Sequence, residues 1–416
     1  MKHIKIALLS LVLLFSIGLK AQVNGEIISE ENGISIIKVW GTHSERGYAQ
    51  GYLLAPQIAD IYTQYFRNNH YASNYKQAKA LLMDPENFRI APKYISEAKA
   101  MLQGMQKAGI NTTDFDEWDI LLMSSFLDID GILKATKEAE GPGCSTLISW
   151  GKATTNGQSI ATRHTDWGAY KGIVGNDVLV IHIPSEKEEQ AWINIGYAGL
   201  IAPLSAMNKG GLGVFGQILL RSGKDHGQGK KSQAYEPTWF TIREAIEKKD
   251  YNKDGLTNVD DIKDAVLNNK NGYADGFIYT AVAKSKHSND EQIAMIIEVA
   301  ACEPYANYRT STYEDEIAGE NIYSANNQIG RNDNRNYCSR YQSVINHLSD
   351  TIVYDAQSQW DFLSDYSNSW LMFKWDNIQK MQYLPDVQIL RYAGCTDSLQ
   401  AYEAPSIRID LNTVFE

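Results

Sequence analysis

The chain carries 416 residues, a net charge of −11 and four cysteines. That acidic balance gives no support to nucleic-acid binding, which favours a basic face, and so few cysteines in so long a chain exclude a disulfide scaffold. The length exceeds a typical single domain but suits one large α/β unit. At the N-terminus Lys2 and Lys5 precede an apolar run from Ile6 to Leu19, and Ala21-Gln22 offers a cleavage point, which is the build of a signal peptide over residues 1–21. It predicts an exported, soluble protein, periplasmic or secreted, with no membrane span in the mature chain. Residues 22–143 read as a mainly helical segment. Tyr48, Tyr52, Ile58, Ile61, Tyr62, Tyr65 and Phe66 recur at helical spacing, with Pro56 as a break or kink. Ile95, Ala98, Met101, Leu102 and Met105 form a second stripe, and Ile120 to Leu127 a third. Periodic apolar faces of this kind pack inward and are read as core. Beyond them Cys144–Ser149 and Ser159–Arg163 are β-prone runs joined by Thr155-Asn156-Gly157, the signature of a hairpin. Asp177–Ile183, Ala191–Ile195 and Gln292–Glu298 read as further strands, and Glu236–Lys249, Ile262–Asn268 and Tyr341–Leu348 as helices. Strands bracketed by helical blocks predict a layered α/β fold.

The hairpin sets Cys144 beside Arg163 and Asp166. A thiolate attacks and a thiol does not. If the Gly143-Cys144 peptide bond is cut, Cys144 gains an α-amino group of ordinary pKa about 7.7–8.0, near the value a general base needs. Nucleophile and base then share one residue. Arg163 would hold the thiolate by charge, and Asp166 would orient the ammonium and the guanidinium. Gly143, lacking a Cβ, lets the thiol fold back on the preceding carbonyl. Plainer readings stand beside these: Cys144 as an inert buried thiol, Arg163 and Asp166 as a structural ion pair, and Gln217, Asn326, Asn327 and Arg340 as turn, strand-end or surface residues. His164 lies next to the same residues in sequence, so a Cys-His mechanism is a further alternative.

A separate motif runs Asp250-Tyr-Asn252-Lys-Asp254-Gly255-Leu256-Thr-Asn258-Val-Asp-Asp261. Oxygen-bearing side chains stand at positions 1, 3, 5, 9 and 12, Gly at 6 and the Leu256 carbonyl at 7, the spacing of an EF-hand-type calcium loop over 250–261. A structural Ca²⁺ is expected here, against a metal-free Asx-rich turn between helices. No cofactor is expected for catalysis.

The chain resembles the isopenicillin-N acyltransferase family of N-terminal-nucleophile hydrolases. The resemblance begins at Gly41-Thr-His-Ser-Glu-Arg-Gly47-Tyr-Ala-Gln-Gly51 and continues through Gly143-Cys144-Ser-Thr and Arg163-x-x-Asp166. Ala206-Met-Asn208, Gly216-Gln217, Ser324-Ala-Asn326-Asn327 and Ser339-Arg340-Tyr341 follow in the same order. The order, more than any single motif, carries the match. It implies a precursor that cleaves itself between Gly143 and Cys144 and then works through a thioester on Cys144. The implied fold is an αββα sandwich over 144–416, preceded by the helical segment, with the two chains remaining associated. Asn326 matches the family's oxyanion-type asparagine, Arg340 the late arginine, and Gln217 stands about where relatives carry a second amide donor. Bile-salt hydrolases and penicillin V acylases share the Cys, Arg-x-x-Asp, Asn and Arg pattern, and acid ceramidase is related. The implied partner is a small-molecule linear acyl amide or acyl donor, and the reaction hydrolysis or acyl transfer. A phospholipase B-like ester hydrolase, faintly matched by His164-Thr-Asp-Trp167 and Tyr170, is the enzymatic alternative. A non-catalytic calcium-dependent binding protein on the same fold is the other.

Overall fold

The computed structural model describes residues 23–133, 143–219, 234–286, 290–313, 317, 319–330, 339–348, 351–370 and 377–416. The expected signal peptide and Cys338 lie outside them. The N-terminal segment, expected to be mainly helical, begins with strands. β1 (Gly25–Glu31) and β2 (Ile34–Gly41) pair antiparallel across Asn32 and Gly33, whose φ angles of 54° and 78° suit a tight hairpin turn. Ile34 and Ile36 on β2 point into one core and Ile37 and Val39 into another, so both faces of the strand are buried. Apolar side chains on both faces are what commit this stretch to a sheet.

Helices then follow without interruption. α1 (His43–Leu53) opens on a capping box between Thr42 and Glu45, and α2 (Ala55–Asp60) carries Pro56 in its first turn, where the break was expected. A π-helix (Ile61–His70) leads to α3 (Tyr75–Met83), α4 (Pro92–Lys107), α5 (Glu117–Met123) and α6 (Phe126–Leu133). A Cβ on Gly47 or Gly51 would meet the Glu97 or Met101 carbonyl oxygen at 2.3 or 1.9 Å, so α1 and α4 cross backbone to backbone.

The rest of the chain alternates strands and helices. β3 (Cys144–Gly151), β4 (Gly157–Asp166), β5 (Asp177–Pro184), β6 (Trp192–Tyr197), β7 (Ser205–Asn208) and β8 (Gly213–Ile218) precede α7 (Thr238–Glu247) and α8 (Val259–Asn268). β9 (Phe277–Val282), β10 (Ala294–Val299), β11 (Ala306–Arg309) and β12 (Asn321–Ser324) precede α9 (Ser339–Ile345) and α10 (Ala356–Trp370), and β13 (Asn377–Leu384), β14 (Ile389–Gly394) and β15 (Ile407–Asp410) close the fold.

This is a mixed α/β fold with two sheets. One runs β1-β2-β5-β6-β7-β8-β9-β10-β11, the other β12-β3-β4-β13-β14-β15. Ile148, Trp150, Ile181, Phe215, Met381 and Leu390 fill the space between them. The far face of the larger sheet is covered by α1, α2, the π-helix and α4–α8, through residues such as Ile58, Tyr94, Met101 and Ile262. The far face of the smaller sheet packs Leu147 and Tyr323 against Tyr341, Val344 and Leu363 of α9 and α10. Layers therefore run helix, sheet, sheet, helix. β2 pairs in parallel with β5, from Ser35 opposite Val178 to Gly41 opposite Pro184, so the segment before Cys144 is woven into the sheet formed by the segment after it.

Candidate active site

β3 and β4 pair as the sequence predicts, with Cys144 opposite Thr165 and Thr146 opposite Arg163. Strand alternation puts these four side chains on the face that Ile148 and Ala161 turn toward the other sheet. Cys144 is 5 % exposed and Arg163 fully buried, and Nη2 of Arg163 lies 3.6 Å from Sγ of Cys144. Arg163 is aimed by a second contact, Nε donating to the Thr165 hydroxyl at 3.0 Å. Burial pushes the Cys144 thiol up, Arg163 pulls it back and Asp166 pushes it up again, leaving it raised in the uncut chain.

The bond between Gly143 and Cys144 is held on both sides. Asp166 donates its backbone N–H to the Gly143 carbonyl at 2.9 Å, while the Cys144 N–H donates to Oδ1 of Asn326 at 2.6 Å. Arg340 ties the cluster together: Nη1 donates to Oδ2 of Asp166 at 3.1 Å and to the Cys144 carbonyl at 3.4 Å, and Nη2 to Oδ1 of Asn326 at 2.5 Å. A Cβ on Gly143 would stand 1.8 Å from Nη2 of Arg340 and 2.2 Å from Oδ1 of Asn326, so a larger residue there would displace both side chains from the cluster. Cys144, Arg163, Asp166, Asn326 and Arg340 thus converge from three elements and one loop.

Gln217 is drawn into the same interior, one step removed. Its Nε2 donates to Thr146 at 3.1 Å and to the Ser324 carbonyl at 3.4 Å, and its Oε1 accepts from Ser324 at 2.9 Å. Asn326 spends its Nδ2 on the Ile218 carbonyl at 2.5 Å. Both amides expected to donate to an oxyanion are therefore engaged in the uncut chain. His164 sits opposite Ser145 on the other face of the hairpin, and burial drives its imidazole far below its ordinary pKa. Adjacency in sequence sends it away from the thiol, because neighbours on a strand point to opposite faces.

Asn377 was not anticipated. Its Nδ2 donates to Oδ1 of Asp166 at 2.8 Å from β13, more than half the chain away from Cys144, and no local pattern marks it. Nor was the cavity. Cys144 and Thr165 help line a pocket with an empty volume of about 630 Å³, walled also by Phe126, Trp167, Tyr197, Leu200, Trp239 and Ile378 among others, and apolar throughout its accessible surface. The π-helix supplies Ile61, Tyr65 and Phe66 to one wall, its wider turn bringing residues four and five apart onto one side. Trp167, next to Asp166, donates its indole N–H to the Tyr65 hydroxyl at 2.7 Å and so latches that wall to the hairpin.

The 250–261 loop sits between α7 and α8. Asp250 accepts backbone N–H groups from Lys253 at 2.6 Å and Gly255 at 2.8 Å, and Asp254 accepts from Leu256 at 2.8 Å. Asn258 caps α8 and Asp261 closes the capping box, accepting from Tyr251 at 2.7 Å; burial pushes its carboxyl up to about 6. Oxygen atoms of the type a hard cation takes are present, yet they are turned onto the loop's own amides rather than gathered about one point. Among the described residues the trio with ligand atoms within 4.8 Å of one another is elsewhere, at His43, Glu189 and Glu247. There the positive charge is already supplied by protein. Arg243 donates to Glu97 at 2.6 Å and Glu247 at 3.1 Å, Arg46 donates to Glu189 at 3.1 Å, and Lys93 pairs with Glu247. His43 places Nδ1 2.7 Å from Glu97 and Nε2 2.9 Å from Glu189.

No helix among the described residues is long and apolar enough to cross a membrane. Compared with known proteins, the chain matches no family model. It is 23 % identical over 195 residues to protein dcd1B of Dictyostelium discoideum, covering 43 % of this chain and 37 % of that protein, so it spans well under half of that relative. Among solved structures it is similar to an N-acylethanolamine-hydrolyzing acid amidase ortholog of Caenorhabditis elegans, at 13 % identity and TM-score 0.40, covering 64 % of this chain and 100 % of that one. A mutant conjugated bile acid hydrolase from Clostridium perfringens is similar at 12 % identity and TM-score 0.39, over 65 % and 93 %. Penicillin V acylase from Agrobacterium tumefaciens is similar at 10 % identity and TM-score 0.38, over 65 % and 86 %.

Proposed function

We propose that the chain is an exported, self-processing cysteine N-terminal-nucleophile amide hydrolase or acyltransferase, acting on a linear amide with an apolar acyl group. The observation that carries this reading is the position of Cys144: a buried thiol under Arg163, lining an apolar pocket, with both sides of its preceding peptide bond held by hydrogen bonds. In processing, the thiol adds to the Gly143 carbonyl, a C–S bond forms, and the C–N bond to Cys144 breaks as its nitrogen takes up the proton. Water then hydrolyses the thioester, leaving a carboxylate on Gly143 and a free amine and thiol on Cys144. In turnover the amine carries the proton of the thiol, the sulfur attacks the acyl carbon, and the protonated amine of the substrate departs. Water or an acceptor amine takes the acyl group from the thioester. Asn326 holds the nitrogen that becomes the base, and Arg340, Asp166 and Asn377 fix Asn326 and the strand end around it.

The pocket wall from the π-helix and α6 belongs to the segment before the cut, so the acyl site is complete only while both chains stay together. The parallel pairing of β2 with β5 supports that association. The structural Ca²⁺ at 250–261 remains a separate proposal that rests on ligand spacing. Intact-mass spectrometry with N-terminal sequencing, and turnover of a panel of acyl amides, lysophospholipids and penicillin V, test the reading. The expected result is a new N-terminus at Cys144 and preference for amides with apolar acyl chains. An active chain that stays uncut overturns the free-amine mechanism, and preference for lysophospholipids moves the assignment to an ester hydrolase.

A further inference from the structure

Two hydrogen-bond donors beside Cys144 have no partner. One is Nη1 of Arg163, whose other nitrogens contact Thr165 and the thiol. The other is the hydroxyl of Tyr197, the last residue of β6, which is 9 % exposed and lines the apolar pocket together with Cys144. Ile193 and Ile195 on the same strand point into the core between the sheets, and Tyr197 after them lies opposite Asp177, whose carboxylate accepts from Gln379 and Tyr392 of the other sheet, while its ring packs in the helix-side cluster that walls the pocket. Its electrostatic neighbours agree: Asp177 across the strand pair, Cys395, Cys144 and Arg163. Buried polar groups are almost always paired, and the hydroxyl of a pocket-lining residue that has no partner, closed off from the apolar cavity surface in the uncut chain, calls for an occupant that accepts from it once cleavage opens the site. Nε2 of Gln217 already donates to two protein acceptors and Nδ2 of Asn326 to one. A single acceptor oxygen close to the thiol would complete the unpartnered Nη1 of Arg163 and hydroxyl of Tyr197.

Resting on the hydrolase reading above, we propose that Tyr197 is a catalytic residue whose O–H donates to the acyl carbonyl oxygen of the bound substrate, with Nη1 of Arg163 as its companion donor. When the sulfur adds to the acyl carbon, the C–S bond forms and the π pair of the C=O moves onto that oxygen. The pair returns when the intermediate collapses, as the C–N bond breaks and the amine leaves with the proton from the Cys144 ammonium. Tyr197 keeps its proton throughout, since burial holds the phenol well above its ordinary pKa and an O–H of this kind donates at every working pH. Self-cleavage does not use it. The Gly143 carbonyl oxygen, where charge develops in that reaction, is already held by the backbone N–H of Asp166.

The test is Tyr197→Phe, compared with wild type for three readouts: extent of self-cleavage by intact mass, steady-state kinetics on an apolar acyl amide, and melting temperature. Cleavage is expected to match wild type, and kcat to fall roughly 10²-fold or more with little change in KM, as for loss of an oxyanion donor. The melting temperature is expected to hold or rise, because the deleted hydroxyl has no partner to lose. The pH profile of kcat/KM is expected to keep its limbs. A shifted limb would mean that Tyr197 acts through Arg163 and the thiol, and would overturn the assignment of a direct contact. A Tyr197→Phe protein within about threefold of wild type in kcat overturns the inference while leaving the hydrolase reading intact. A wild type that stays uncut or turns over no acyl amide overturns the parent reading, and this one with it.

Discussion

Two buried polar clusters lie in this fold, and they are built on opposite rules. Around His43, Arg243 contacts Glu97 and Glu247, Arg46 contacts Glu189, and both imidazole nitrogens face carboxylates; of these donors only Nε of Arg46 is left over. Cations and anions are balanced, and the cluster joins α1 and α4 to α7 across the expected cut. Around Cys144 the donors are in excess: Arg163 and Tyr197 each keep one unused, and an apolar cavity stands next to them. A saturated ionic network has nothing left to offer a ligand and acts as structure. An unsaturated one beside a cavity is where the proposed reaction would find its donors, because a bound acceptor would complete it.

The largest expected effect separates the two clusters directly. Arg163→Met keeps a long side chain but deletes the charge at 3.6 Å from the thiol. Turnover of an acyl amide should fall on the order of 10²–10³-fold while the melting temperature stays near wild type, since a guanidinium with an unused Nη1 contributes little to folding. A collapse in stability with activity per folded molecule retained would place Arg163 in the structural class instead. Glu97→Gln should behave in the reverse sense. Burial alone raises the Glu97 carboxyl, but Arg243 and His43 pull it well below the usual carboxylate range, and neutralising it leaves two cations facing each other in the interior. Loss of about 3–5 kcal/mol in urea unfolding is expected, with the proposed acyl-amide turnover per surviving folded molecule unchanged.

The pH dependence of stability sharpens the contrast further. Burial lowers the His43 pKa, but hydrogen bonds to Glu189 and Glu97 and attraction to Glu97 outweigh burial and the repulsion from Arg243, so the net shift is upward. A raised pKa means that the stabilisation is fully present below the unfolded value of 6.5 and is lost as pH rises through the folded value. Asp128 and Asp177, pushed up to about 7 by burial, also lose stability over this range. The difference between wild type and His43→Gln cancels their share. Urea midpoints measured from about pH 5 to about pH 9 should show wild type losing more stability than the variant. Parallel curves would show that the His43 pKa is the same folded and unfolded, and a wild type that gains stability over the variant as pH rises would show that His43 is neutral in the folded protein.

Much of the Cys144 centre was legible because it is local. Two β-prone runs and an Asn-Gly turn fix the hairpin, and a hairpin fixes which side chains share a face; Cys144 and Arg163 follow from that alone, whereas Asp166, at the strand end with the parity of His164, joins the site through Arg340 and its own backbone N–H. The same reasoning shows why His164 misleads, being one residue from Arg163 and therefore on the opposite face. Asn32-Gly33 carries the same turn signal as Asn156-Gly157, yet the strong helical stripe beginning at Tyr48 masked the β1–β2 hairpin before it. Asn377 and Tyr197 could not be read, since β13 and β6 reach the site through sheet topology rather than spacing. The His43 cluster was hidden for another reason. His43, Arg46, Glu97 and Glu189 look like surface residues in sequence, and only the close crossing of α1 on α4, set by Gly47 and Gly51, buries them.

The smallest expected effect concerns the loop at 250–261, which follows neither rule cleanly. Its carboxylates, exposed or half-buried except for the buried Asp261, spend their oxygens on backbone amides, as in a saturated structural turn. Its oxygen spacing is nevertheless that of a calcium loop, and Lys253 and Gly255, with φ of 65° and 90°, already bend the chain sharply between Asp250 and Asp261. A cation would relieve the crowding of Asp250 and Asp261, whose mutual repulsion adds to burial in raising the Asp261 carboxyl to about 6. Because it would have to win those oxygens from the amides, binding should be weak. At a tenfold excess over Kd it would add ~1.4 kcal/mol, or about 1–2 °C in Tm for a chain of this size. Millimolar CaCl₂ should therefore raise the melting temperature slightly, Asp250→Asn should remove the rise, and magnesium should reproduce little of it, since the flexible, oxygen-rich loop favours the larger ion. A melting temperature indifferent to calcium and to chelator, with no calcium by elemental analysis, leaves the loop as a metal-free cap on α8.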